Sequence, residues 1–166
     1  MTSTTPTKDL YLTGLRNQHA VETQAIGTIQ NELPRMDAYP ELQSRMQADK
    51  DRSTEQGARL DRLLASHGTK ASVAKEAASG AIATVTGLVH AVAPDDVLKN
   101  VLAAVGFKAY EIGSYKALIA LAEAAGATDD VAVLEQSMKE EQEMGDWLGS
   151  HLPSFVQAYV KQQQAG

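Results

Sequence analysis

The sequence predicts an all-α protein, a four-helix bundle with a crossover, on three observations. Apolar residues recur at spacings of three and four almost throughout, and no run alternates with the two-residue period of a strand. Two long periodic stretches are joined across Pro34 and Pro40, and two more across Gly126. A stretch of small residues stands between the two pairs, as a crossover requires.

The first helix is expected over about 7–33, carrying Leu10, Leu15, Ile26, Ile29 and Leu33. Pro34 ends it, because the residue before a proline is pushed out of helical geometry. The second starts at Tyr39-Pro40-Glu41, where proline suits the first helical position and glutamate the N-terminal dipole. It runs to about Ser66, with Gly68 as its stop. A small-residue connecting helix is expected over about 70–91, closed by Pro94. Residues 77–94 hold no Asp, Glu, Lys or Arg, but they are mostly Ala, Gly, Ser and Thr. The expected reading is a buried helix and no membrane span.

The next helix opens at Asp95-Asp96 and carries Val97, Leu98, Val101, Leu102, Val105, Ile112, Leu118, Ile119 and Leu121 before Gly126. Thr128 or Asp129 caps the last long helix, which runs to about Leu152. Pro153 is expected to break it, leaving a short C-terminal helix with Phe155, Val156 and Tyr159.

A chain of 166 residues is one domain's worth, and 1–166 is read as a single helical bundle domain. Apolar residues make up 43% and charged residues 22%, as in ordinary globular proteins. The absence of cysteine removes disulfides, thiolate metal sites and cysteine nucleophiles. A net charge of −6 argues against nucleic acid, which would call for a basic stripe. The polar N-terminus has no apolar run behind it, so a cytoplasmic location is expected.

Charged residues lie on the inward stripes. In the second helix the stripe is Leu42, Met46, Asp49, Ser53, Gln56, Leu60, with Arg52 one position off. In the helix after Asp96 it is Leu98, Val101, Val105, Lys108, Ile112, Tyr115, Ile119, with Glu111 beside it. The last long helix gives Leu134, Met138, Glu141, Gly145, Leu148, Leu152, and the first gives Leu15, His19, Glu22, Ile26. A charge left unpaired in a core costs several kcal/mol, so buried charges persist when paired, hydrogen-bonded or metal-bound. Two arrangements answer this. Glu22, His19, Asp49, Glu111 and Glu141 could hold two divalent cations through oxygen and imidazole. Alternatively, Arg52 and Lys108 take the cation positions and bridge the acids. A third possibility is that some of these residues lie at the bundle edge and are solvated, because periodicity fixes a face only approximately.

At these residues the chain resembles the YciF-type ferritin-like stress protein family of bacteria, over nearly its whole length. Leu15-Arg16-Asn17-Gln18-His19-Ala20-Val21-Glu22-Thr23-Gln24 is similar to the family's Leu-Arg-Asp-x-Tyr-x-Ala-Glu-x-Gln segment. Phe107-Lys108-Ala109-Tyr110-Glu111-Ile112-Gly113-Ser114-Tyr115 resembles its Glu-His-Tyr-Glu-Ile-Ala-x-Tyr segment. Leu134 to Glu141 follows its Leu-x-x-x-Leu-x-Glu-Glu pattern. The second helix departs: the family's His-x-Glu-Glu-Thr-x-x-Gln falls on residues 49–56, with Asp49 in place of histidine and Arg52 in place of the second glutamate. Lys108 likewise replaces a glutamate.

The resemblance implies a ferritin-like bundle in a stress-associated protein. Two carboxylate positions have become cations, which moves the local charge by about four toward positive, against divalent ions. The expected reading is a degenerate di-metal site replaced by a buried salt-bridge network, with no cofactor and a structural or interaction role rather than an enzyme's. The alternative is a di-iron or di-manganese carboxylate protein handling iron, oxidation or peroxide.

Other residues carry less. His67 at a helix end suits the dipole there, and His90 and His151 form no spaced metal pair. Trp147 reads as packing or interface, and neither a phosphate loop nor a Ser-His-Asp signature is present. Leftover apolar and small-residue surface points to a homodimer.

Overall fold

Four long helices account for the described part of the chain. The computed structural model describes residues 6–71 and 96–165. Helix α1 spans Pro6–Glu32 and α2 Pro40–Ser66, joined by a 3-10 turn over Leu33–Arg35 that absorbs Pro34. Helix α3 spans Asp96–Ala124, and a second 3-10 turn over Thr128–Asp130 leads into α4, Val131–Ala165. The short connections make α1 and α2 one antiparallel pair and α3 and α4 another; α1 then packs on α3 and α2 on α4. The expected connecting helix over 70–91, with His90, lies almost wholly outside the described residues. Among the described residues no helix is long and apolar enough to cross a membrane.

Two helix ends are set by glycine. Gly68 and Gly126 both take φ of +72°, a conformation that L side chains resist. Each permits the return bond that closes a helix: Thr69 N–H to the Leu64 carbonyl at 3.0 Å, and Ala127 N–H to the Ala122 carbonyl at 2.8 Å.

Pro153 does not break the last helix, contrary to the sequence expectation, and no separate C-terminal helix follows it: α4 runs through it to Ala165. The reason is packing beyond the proline. Phe155 is buried against Tyr39, Trp147 and His151, which holds the last three turns in line. Around Pro153, the Ser150 hydroxyl donates to the Trp147 carbonyl and the Ser154 hydroxyl to the His151 carbonyl.

The apolar core is in two halves. One gathers Tyr11, Leu15, Leu60, Leu64, Leu118 and Leu134; the other gathers Ile29, Leu42, Met46, Val101, Met144 and Leu148. Between them lies a polar layer to which every helix contributes.

Candidate functional site

Helical spacing builds that layer. Gln18 and Glu22 come from α1, Asp49, Ser53 and Gln56 from α2, Lys108, Glu111 and Tyr115 from α3, and Ser137 and Glu141 from α4; all are buried. Within each helix they stand three, four or seven apart, hence on one face. Lys108 is at the middle. Its Nζ donates to Glu141 Oε2 at 2.6 Å and stands 2.9 Å from Glu111 Oε2 and 3.0 Å from Asp49 Oδ2. Gly145 lets α4 approach there: a Cβ on it would meet the Lys108 Cβ at 3.4 Å.

Glu22 is held from the other side. Its Oε1 accepts from the Tyr115 hydroxyl at 2.7 Å and from Gln18 Nε2 at 2.9 Å, and Gln18 accepts in turn from Ser114. Among the described residues, Glu22 Oε2 and Glu111 Oε1 have no hydrogen-bond partner. Glu22, Glu111 and Glu141 each offer an oxygen within 4.8 Å of the others.

Four buried acids thus face one ammonium, and the titrations reflect the imbalance. Burial, reinforced by Glu141, pushes the Glu22 carboxyl up to about 7, against the hydrogen bonds from Gln18 and Tyr115. Burial raises Glu111 well above the carboxylate range and raises Asp49 too, in both cases against the pull of Lys108. For Lys108 burial opposes the charge, but Glu111, Asp49 and Glu141 outweigh it and hold the ammonium well above its usual range. The site holds one fixed cation, and burial holds the protons of Glu22, Asp49 and Glu111 to higher pH than free carboxyls keep theirs.

The structure separates the residues expected together. It groups Glu22, Asp49, Glu111, Glu141 and Lys108, and it leaves out Arg52 and His19. Arg52 is a third exposed and reaches outward to Glu143 at 3.3 Å. The buried run of α2 is Leu42, Met46, Asp49, Ser53, Gln56, Leu60, which puts Arg52 about 100° round the helix from Ser53. His19 pairs with the exposed Asp61 at 3.3 Å, because Gln18, one residue earlier, takes the inward position. The expected two-cation bridge by Arg52 and Lys108 is therefore corrected to Lys108 alone.

Sequence reasoning missed two further groups. Arg59 grips Glu140 with both terminal guanidinium nitrogens, Nη1 at 2.6 Å and Nη2 at 2.8 Å, and also reaches the Ser137 hydroxyl, while Gln56 Nε2 donates to the same carboxylate at 3.1 Å. Burial works against the charge on Glu140, but the Arg59 hydrogen bonds prevail and lower it below the usual carboxylate range. At one end of the bundle, Asp130 Oδ2 accepts from the Tyr11 hydroxyl at 2.7 Å and lies 2.6 Å from His67 Nε2. Gln56 on the α2 stripe was a signal for the first group. The second joins residues 119 apart in sequence and had no local signal.

Glu22, Glu111 and Glu141 supply hard oxygen donors that suit one hard cation by type and spacing. A two-cation carboxylate centre draws on a carboxylate from each of two helices and a Glu-x-x-His pair from each of the others. Here Asp49 is engaged by Lys108, and each described histidine is tied elsewhere: His19 to Asp61, His67 to Asp130 and His151 to the Trp147 carbonyl. The residues present do not fit the two-cation group.

An antiparallel bundle of four long helices around a mid-core carboxylate cluster defines the ferritin-like class of all-α proteins. The chain belongs to the family described as a domain of unknown function, DUF892, whose model matches residues 6–161. This is the YciF-type family. The chain is similar to a solved protein of Xanthomonas campestris, with 25% identity, a TM-score of 0.81 and coverage of 95% of this chain and 99% of that one. It is similar to YcfI from Rhodopseudomonas palustris, with 26% identity, a TM-score of 0.75 and coverage of 89% and 96%. The E. coli stress protein YciF shares the fold, at 21% identity, a TM-score of 0.76 and coverage of 95% and 99%.

Proposed function

We propose that this is a cytoplasmic, stress-associated ferritin-like protein whose di-metal centre has been replaced by an ion-pair and proton network, and that its role is structural or as an interaction module. The observation that carries the reading is the position of Lys108 Nζ, within 3.0 Å of carboxylate oxygens from three helices. An ammonium there does electrostatically what a bound cation would do, without a ligand. The stress association rests on the YciF resemblance. A homodimer goes with it, supported by Leu10, Tyr110, Val156 and Val160 standing exposed, and light scattering on purified protein tests it.

A second reading keeps a metal. Among the described residues, Glu22 Oε2 and Glu111 Oε1 lack hydrogen-bond partners beside Glu141, and an iron or manganese ion would satisfy them. Elemental mass spectrometry decides, on protein purified without chelator and again after loading with iron and manganese. The network reading expects no tightly held ion in either sample. One or two tightly held ions per chain would overturn it, two of them in favour of iron or peroxide chemistry.

A further inference from the structure

A cavity of about 210 Å³ opens between α1, α2 and α3, and its inner end reaches the ionic centre at Asp49 and Lys108. We infer that this cavity binds a small protonated alkylamine, with the ammonium at Asp49 and the chain along the apolar wall. The inference stands apart from the reading above, since Asp49 lines the cavity whatever the glutamates hold.

The wall decides that the ligand has an apolar body. Ile29, Met36, Met46, Ala104 and Phe107 line it. Small-molecule sites have this make-up, mostly apolar with a few placed polar groups. A dry apolar cavity of roughly 150 Å³ takes benzene, so this one holds about eight heavy atoms.

Charge decides the head group. Lys108 supplies the cavity's one lining cation among the described residues, and its ammonium is engaged by Glu141, Glu111 and Asp49. The other charged lining groups are acids. Asp49 receives no donor but Lys108 among the described residues, and Glu32 is paired with Asn100 and Arg35 on the wall. A carboxylate ligand would have to draw Lys108 away from Glu141 and then face Asp49. An alcohol would form no ion pair with Asp49. A hydrated metal ion would gain nothing from the apolar wall and would lose water against it. A protonated amine answers both features, and its attraction to Asp49 is strengthened where the walls exclude water.

Isothermal titration calorimetry at pH 7 tests this with hexylamine, hexanoate and hexanol. The expected result is saturable one-site binding of hexylamine, with hexanoate and hexanol at least tenfold weaker. Ala104→Phe fills the cavity and should weaken hexylamine at least tenfold. Thr28→Trp blocks its lining from an exposed position on α1, so it keeps the test valid if the Ala104 variant fails to fold. Asp49→Asn should erase the preference for amine over alcohol. No saturable hexylamine binding, hexanoate or hexanol bound as tightly, or hexylamine binding indifferent to Thr28→Trp would each overturn the inference.

Discussion

Lys108 Nζ lies 2.6 Å from Glu141 Oε2 with both side chains almost wholly withdrawn from water, and this contact ties α3 to α4 across the polar layer. Taking either charge out of water alone would cost several kcal/mol, so each depends on the other. Asp49 and Glu111 extend the dependence to α2 and back to α3. The layer therefore interrupts the apolar core with a group of charges that is stable only when complete.

Lys108→Met keeps the unbranched apolar stem of the side chain and removes its charged end. Asp49, Glu111 and Glu141 are then buried without their cation, and the loss at pH 7 should be roughly 3–5 kcal/mol. Burial raises the Asp49 and Glu111 carboxyls, so both are more fully protonated at pH 4.5 than at pH 7 and the penalty should shrink there. Urea unfolding at both pH values measures it. A loss below about 1 kcal/mol at pH 7 would mean that the ammonium does not hold the centre together.

Two arginines on α2 should behave differently, although only seven residues separate them. Arg52 makes an exposed pair with Glu143, and Arg52→Ala should cost under about 1 kcal/mol. Arg59 is largely buried and makes paired short hydrogen bonds to Glu140, so Arg59→Ala should cost about 2–3 kcal/mol. Thermal or urea melts rank the two, and the reverse order would contradict the geometry.

The α2 stripe was legible because Leu42, Met46, Asp49, Ser53, Gln56 and Leu60 alternate steps of four and three, and all six are buried. On α4 the same procedure slipped by one residue. It pointed to Met138 and Gly145, whereas Ser137 and Met144 are the buried ones. The buried run steps three then four where the expected stripe steps four then three, so Leu134, Glu141 and Leu148 fall on both and only the residues between them differ. The same choice between adjacent positions, about 100° apart, separates Arg52 from the centre and Gln18 from His19. A rotation of one residue decides whether a charged side chain meets a buried acid or water. Partners across helices, such as Tyr11 with Asp130, depend on packing that no local pattern encodes.

The pH dependence follows from Glu22. Its folded pKa, about 7, is raised above the ordinary value of 4.5 by burial, so the folded state binds its proton more tightly than the unfolded chain does. Its stabilising contribution is present below about pH 4.5 and is lost as pH rises through 7, on the order of 3 kcal/mol. Glu111 and Asp49 are raised too and act in the same direction. Lys108, held above its usual range, stays charged on both sides of this window and adds no slope. Glu140, lowered by Arg59, costs stability only as pH falls below the carboxylate range. Stability should therefore peak near pH 5 and decline toward pH 8. Glu22→Gln, which can still accept from Tyr115, should flatten the decline. Urea midpoints at pH 5 to 8 check this, and an unchanged slope in the variant would remove Glu22 as its cause.

Lys108→Glu turns the proposed replacement around. It exchanges the ammonium for a carboxylate, so that five acids share the layer with no cation of their own. The variant should be strongly destabilised when metal is absent. It should recover with manganese or ferrous iron, because an ion bound only by the folded state adds stability as its concentration rises, about 2.7 kcal/mol at one hundred times Kd. The unsubstituted protein should show no such rise, since Lys108 already fills the role. Melting temperatures of both proteins, each titrated with metal and then with chelator, give the comparison. A metal-dependent rise in the variant alone would mark Lys108 as the residue that displaced the cation. Equal rises in both would show that Glu22, Glu111 and Glu141 bind metal beside the ammonium, and no rise in either would show that this layer lacks a cation site even without Lys108.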